Sequence, residues 1–84
     1  MTELTVVFFA SLKESLGVAQ YQVVAQCPIT IKALKQLLIA VLNNGDALLA
    51  PGIQSSIDYE FARDTDVILE TAKEIAFFPP VTGG

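Results

Sequence analysis

The chain has 84 residues, 52% of them hydrophobic, which predicts one small folded domain rather than a disordered segment. A single cysteine, Cys27, and the absence of histidine exclude an internal disulfide and argue against a zinc site or a Cys–His catalytic pair. The net charge is −4, and the excess of acidic side chains lies within residues 58–84, so the chain should repel nucleic acid and attract a basic protein partner. The same excess is also what solubility alone would favour.

The first predicted element is a strand, Leu4–Ala10, followed by a short helix, Ser11–Leu16, that Gly17 ends. Consecutive apolar residues in the strand predict a central position with both faces covered. The run is too short to span a membrane and follows Glu3 rather than basic residues, so we expect neither a membrane anchor nor a signal peptide. With one cysteine and no export signal, we expect a cytoplasmic protein, and we interpret Cys27 as an apolar filler.

A second strand, Gln20–Ala25, is ended by Pro28, and one long helix, Ile31–Asn43, follows with Thr30 as its N-cap and Gly45 as its stop. Helical spacing divides this helix into a core stripe and a solvated side. The stripe consists of Ile31, Leu34, Leu38, Val41 and Leu42, and the solvated side of Lys32, Lys35, Gln36 and Asn43.

The remaining segment predicts a loop and three short strands around an irregular stretch. The predicted ranges are the loop Asp46–Ser55, strands Ser56–Asp58 and Glu60–Ala62, the stretch 63–71 anchored by Val67, Ile68 and Leu69, and a last strand from Glu74 or Ile75 to Pro79. One long helix crossing a face of a small mixed sheet predicts the α+β class and the β-grasp arrangement.

The C-terminal segment Phe77-Phe78-Pro79-Pro80-Val81-Thr82-Gly83-Gly84 divides the chain into a domain, 1–79, and a predicted flexible tail, 80–84. Two prolines favour an extended exit and two glycines give backbone freedom. The tail has no charged side chain, only its terminal carboxylate, so it could thread a channel in another protein. A frayed, inert end is the alternative. A carboxylate must be activated, typically as an acyl adenylate, before sulfur can attack it. Because the sequence has no nucleotide-binding motif, the ATP site would belong to a partner.

Both ends of the chain resemble the small subunit of molybdopterin synthase, the MoaD-type sulfur carrier family. The resemblance rests on Val6–Gly17 and, more specifically, on Glu74–Gly84. It implies a ubiquitin-like β-grasp fold and a non-catalytic, sulfur-donating subunit that binds no cofactor or metal. An E1-like enzyme would use ATP to adenylate Gly84, and a sulfurtransferase system would convert it to a thiocarboxylate. The tail would then deliver sulfur to cyclic pyranopterin monophosphate in the large subunit of a heterotetramer.

The resemblance also implies which residues act. Gly84 carries the adenylate and thiocarboxylate, next to Gly83, and an apolar face meets the large subunit and the activating enzyme. That face and the exit of the tail comprise Phe9, Phe61, Phe78, Pro79, Pro80, Val81 and Thr82. Alternation along a strand places Phe8 and Phe9 on opposite faces, and likewise Phe77 and Phe78, so one of each pair can be core. A wholly structural role for these phenylalanines is the alternative.

Two departures from the family pattern concern turns. Members often carry Asp-Gly where this chain has Thr71-Ala72-Lys73, and Asn where it has Asp58, which puts the local loop geometry in doubt. Lys13 lies at a commonly basic position, as a partner contact or a solvated lysine. Three other functions compete: the thiazole-synthesis sulfur carrier, a ubiquitin-like modifier joined through Gly84 to lysines, and an interaction module with an inert tail.

Overall fold

The computed structural model of the chain describes residues 1–79. The predicted tail, 80–84, therefore lies outside the described residues. Two α-helices, one 3₁₀ helix and seven strands make up the described part. In chain order they are β1 (Thr2–Phe8), α1 (Ala10–Leu16), β2 (Gln20–Ala25), β3 (Ile29–Thr30), α2 (Ile31–Val41), a 3₁₀ helix (Gly45–Leu49), β4 (Gln54–Ile57), β5 (Glu60–Ala62), β6 (Val67–Ile68) and β7 (Glu74–Phe78).

Five strands form one mixed sheet in the order β2-β1-β7-β4-β5. The first and last strands of the chain, β1 and β7, lie side by side and parallel, with Phe8 level with Phe77. The other neighbours in this sheet are antiparallel, and β3 and β6 form a separate two-stranded ladder. With the long helix packed on one face, this is the predicted β-grasp fold of the α+β class.

The core lies between the helices and one face of the sheet. Leu4, Val6 and Phe8 of β1 alternate into it, while Thr5 and Val7 on the other face are only half-buried. The prediction that both faces of this strand are covered was therefore wrong, because the helices pack on a single side. The predicted bounds, 4–10, were also late by two residues. Phe9 and Ala10 already belong to the start of α1, where Phe9 is the extended N-cap and Ala10 has a φ of 52°.

The long helix begins as predicted and ends earlier. The Thr30 hydroxyl accepts a hydrogen bond from the Ala33 N–H at 3.1 Å, which caps α2. The helix ends at Val41, and Leu42 is extended, so the predicted end at Asn43 was wrong. Gly45 is no helix stop but lies against the same helix: a Cβ on Gly45 would meet the Ile39 Cα at 2.6 Å.

The predicted division of α2 into a core stripe and a solvated side is only partly confirmed. Ile31, Leu34 and Leu38 are fully buried, whereas Val41, also assigned to the core stripe, is exposed. Lys35, assigned to the solvated side, is buried instead. Its Nζ donates to Asp64 Oδ1 at 2.8 Å, with the lysine side chain 9% exposed and the aspartate side chain 55% exposed. The aspartate compensates the buried ammonium, and no helical periodicity could have indicated a partner so distant along the chain.

Smaller differences concern the connections. The 3₁₀ helix begins one residue before the predicted loop Asp46–Ser55 and occupies its first four residues, and β4 starts two residues before the predicted Ser56. In the irregular stretch only Ile68 is buried, while Val67 and Leu69, also predicted to anchor it, are exposed. Cys27 is half-buried and packs against the core as an apolar filler would. The strand Gln20–Ala25 and the stop at Gly17, with a φ of 77°, are as predicted.

Candidate partner-binding face

The face of the sheet opposite the helices is open. Residues that lie opposite one another in neighbouring strands share a face, so the register defines its composition. The strand residues on it are Glu3, Thr5, Val7, Gln20, Gln22, Val24, Gln54, Ser56, Phe61, Glu74, Ala76 and Phe78. The hydrogen bond between Thr5 Oγ1 and Gln22 Oε1, 3.1 Å long, spans two of its strands. Its ionisable strand residues are Glu3 and Glu74, both acidic.

The two Phe-Phe pairs each divide between the core and this open face. Phe8 and Phe77 are buried and stack, with ring centroids 6.2 Å apart and planes 17° apart. Phe9 is 49% exposed and Phe78 is half-buried. The Phe9 N–H donates to the Phe77 carbonyl at 3.2 Å, which extends the ladder by one residue and directs the Phe9 ring to the open side. Strand alternation thus placed one phenylalanine of each pair correctly.

Phe78 lies between Phe9 and Phe61, and we call these three residues the aromatic face. Its ring meets Phe9 edge to face, with centroids 6.5 Å apart, and Phe61 likewise at 5.8 Å. Edge-to-face pairs at such distances attract one another beyond the apolar area that they bury. Phe61 is nevertheless 78% exposed. The three phenylalanines assigned from the sequence are therefore brought together in one exposed cluster, a composition typical of binding surfaces.

A shallow cavity of about 250 Å³ opens beside the aromatic face. Besides the three phenylalanines it is lined by Ser56, Tyr59, Glu74 and Ala76. Tyr59 and Glu74 were not among the residues assigned from the sequence. Tyr59 is 83% exposed and follows Asp58 in the two-residue turn between β4 and β5. It was missed because its position depends on the geometry of this turn.

The turn holds two residues in the left-handed region, with φ of 48° at Asp58 and 74° at Tyr59. Positive φ at both positions matches the twist of the flanking strands, and Asn-Gly or Asp-Gly is the sequence preferred there. Asp tolerates this region, whereas the Cβ of a tyrosine makes it unfavourable by roughly 1–2 kcal/mol. Tyrosine thus occupies a position where the backbone favours glycine.

Asp58 fixes this turn to the end of the neighbouring strand. Its Oδ1 accepts from the Lys73 N–H at 3.0 Å and from the Glu74 N–H at 2.9 Å. The Asp58 N–H donates to the Glu74 carbonyl at 2.8 Å. An asparagine carbonyl oxygen could accept the same two bonds, so either residue could meet the hydrogen-bonding need of this turn.

The remaining assigned residues continue the chain from this face. Pro79 is half-buried and directly follows Phe78. Pro80, Val81, Thr82, Gly83 and Gly84 lie outside the described residues, so their roles stay predictions. Residues 1–79 contain no group of three potential metal-ligating side chains. Within the same range, no helix is long and apolar enough to cross a membrane.

Known proteins resemble this chain in sequence or in fold. The ThiS family model matches residues 6–84. The molybdopterin synthase sulfur carrier subunit of Escherichia coli K12 is 35% identical over 79 residues, which cover 94% of this chain and 96% of that protein. SAMP1 from Haloferax volcanii superposes with a TM-score of 0.81 at 21% identity, covering 98% of this chain and 99% of that one. SAMP1 from Methanosarcina acetivorans gives 0.69 at 22%, covering 100% and 98%. At these identities the two structures support the fold alone.

Proposed function

Because the chain belongs to the ThiS family, we propose that it is the sulfur carrier subunit of a molybdopterin synthase and that the Gly84 carboxylate carries the sulfur. The observation that carries this proposal is the 35% identity to a curated sulfur carrier subunit over 94% of the chain. The family match extends through Gly84, the residue to which the chemistry is assigned.

The chemistry requires an activated carboxylate. Attack of the Gly84 carboxylate on the α-phosphorus of ATP forms an acyl adenylate and releases pyrophosphate. A sulfur nucleophile at the sulfide oxidation level then attacks the acyl carbon, and AMP leaves, which produces the thiocarboxylate. The chain supplies the acyl group only, so the ATP site and the sulfur source belong to an E1-like adenylating enzyme and a sulfurtransferase system.

The open face supports a docking role in this scheme. The aromatic face lies at the end of β7, one residue before Pro79, where the chain leaves the sheet. A partner that covers the aromatic face would receive the following residues close to its own surface. In the proposed assembly this partner is the large subunit, which binds cyclic pyranopterin monophosphate, and the adenylating enzyme covers the same face at an earlier step. Because both partners would cover the same three phenylalanines, the two encounters would be successive.

Adenylation of the Gly84 carboxylate is also the first step of two alternative functions. A protein modifier would form an amide between Gly84 and a lysine, and a carrier for thiazole synthesis would transfer sulfur to a different acceptor. The β-grasp fold does not discriminate among them, since the structural neighbours include SAMP1 of Methanosarcina acetivorans, whose full name is small archaeal modifier protein 1. The 35% identity to a molybdopterin synthase subunit favours the function of a sulfur carrier for molybdopterin synthase.

The test is reconstitution. The untagged chain is incubated with the adenylating enzyme, ATP and a sulfur source, then with the large subunit and cyclic pyranopterin monophosphate, and molybdopterin is quantified. We expect product with this chain and none with a variant that lacks Gly84. Transfer only to protein lysines, seen as conjugates of higher mass, would support the modifier instead. If neither molybdopterin nor conjugates form, although the adenylating enzyme activates a known carrier, both functions are contradicted.

A further inference from the structure

We infer that Tyr59 is a partner-specificity residue for the large synthase subunit. Together with Glu74 and the aromatic face, Tyr59 would contact a basic side chain of that subunit, best an arginine. This inference rests on the proposed function and adds one residue and one ligand chemistry to it. It starts from a residue whose presence the fold does not explain.

Two observations indicate that the Tyr59 side chain does not stabilise the fold. Its φ of 74° lies in the region that glycine adopts most readily, so the backbone would be better served by a residue without a Cβ. The side chain is 83% exposed and therefore adds little to the core. A large aromatic side chain held in an unfavourable backbone conformation at a surface is typical of functional positions, where a contact outside the domain retains it.

The surroundings of Tyr59 indicate where that contact lies. Tyr59 lines the same cavity as all three members of the aromatic face, so the turn adds a fourth aromatic ring at the rim of one concave surface. Tyrosine combines a large apolar area with a polar hydroxyl and few rotatable bonds, which makes it effective at the centre of interfaces.

The acidic charge beside the cavity indicates which side chain of the partner would occupy it. Glu74 lines the cavity and is half-buried, and no basic side chain within residues 1–79 forms an ion pair with it. Glu3, on the same face, is also acidic. A guanidinium can lie flat on aromatic rings while it donates to a carboxylate, and arginine is better suited than lysine to both contacts. Rings and a carboxylate around one cavity therefore favour an arginine from a basic partner surface.

Titration calorimetry with the large synthase subunit, at low and high ionic strength, tests the inference. Tyr59→Gly should weaken binding by about tenfold or more while the melting temperature stays unchanged or rises, since glycine relieves the backbone. Tyr59→Phe keeps the ring and should bind within about twofold of wild type. Glu74→Gln should weaken binding most at low ionic strength and flatten its salt dependence. Leu49→Asn, at an exposed apolar residue of the 3₁₀ helix, should change nothing.

The outcomes separate the two proposals. If wild-type chain binds and gains sulfur but Tyr59→Gly binds equally well, this inference fails and the proposed function stands. A fall in melting temperature for Tyr59→Gly would also overturn it, because the side chain would then serve the fold. If Glu74→Gln leaves affinity and salt dependence unchanged, the basic occupant is wrong. If the wild-type chain neither binds nor gains sulfur, the proposed function is wrong and the inference is lost with it.

Discussion

The rings of Phe61 and Phe78 meet edge to face although their strands are not neighbours, since β4 separates β5 from β7. Their contact crosses β4 diagonally, because Phe61 lies opposite Ser56, which in turn lies opposite Ala76, whereas Phe78 lies opposite Gln54. Because serine and alanine are small, the two rings can approach to 5.8 Å above them. The aromatic face thus depends on small residues in the middle of the open sheet as much as on its phenylalanines.

Phe77 and Phe78 form a matched pair for separating folding from binding. Phe77→Ala empties a core position and should lower the free energy of unfolding by about 3–5 kcal/mol. Phe78→Ala should cost much less stability but weaken binding of the large subunit by about tenfold or more. Denaturant unfolding and calorimetry measure the two effects. An unfolded Phe78→Ala variant would place Phe78 in the core and contradict its assignment to the interface.

Asp58 should be replaceable by asparagine and not by alanine. Asp58→Ala leaves the Lys73 and Glu74 N–H groups without their acceptor and should cost about 1–3 kcal/mol of stability. Asp58→Asn retains an oxygen for both and should stay within about 0.5 kcal/mol of wild type. Chemical denaturation measures both. Equal losses for the two variants would mean that the carboxylate charge, rather than the acceptor, fixes the turn.

The ion pair of Lys35 and Asp64 should respond asymmetrically to mutation. Asp64→Ala leaves a mostly buried ammonium without its partner and should destabilise the domain by about 1–3 kcal/mol. Lys35→Met replaces the ammonium by an apolar group of similar length and should be neutral or stabilising, because the desolvation cost disappears. Urea unfolding of both variants decides the point. A greater loss for Lys35→Met would show that the pair itself stabilises the fold.

Gly45 and Gly17 should tolerate substitution differently. At Gly45 a Cβ would collide with the Ile39 backbone, so Gly45→Ala should cost about 1–3 kcal/mol and Gly45→Asn more. At Gly17 there is open space but φ is +77°, so Gly17→Asn, which tolerates this conformation, should cost less than Gly17→Ala. Thermal melts of the four variants test this order. Recovery at Gly45 by asparagine would indicate that φ, and not space, matters there.

Local signals predicted much of the fold and of the face. Alternation in Gln20–Ala25 and the hydroxyl of Thr30 depend on neighbouring residues only, and both were read correctly from the sequence. Alternation also separated Phe9 from Phe8 and Phe78 from Phe77. The burial of Lys35 could not be predicted, because it depends on a carboxylate contributed by the segment after β5.

Tyr59, like the buried Lys35, could not be predicted from the sequence, but for a different reason. Asp-Tyr carries no recognised signal for a tight hairpin turn, so neither the positive φ nor the shared cavity could be foreseen. Of the two site residues that sequence patterns missed, Tyr59 and Glu74, Tyr59 is the one whose local preference disagrees with the backbone. Such disagreements between residue and backbone are expected at functional positions.

The intact mass of the untagged chain, before and after incubation with ATP, the adenylating enzyme and a sulfur source, tests the central claim most directly. Replacement of one carboxylate oxygen by sulfur predicts a gain of about 16 Da. This gain should be located at Gly84, absent from a variant without Gly84, and lost when the large subunit and its pyranopterin substrate are added. An unchanged mass, under conditions in which the same enzymes load a known carrier, would contradict the assignment of Gly84 as the sulfur-carrying residue.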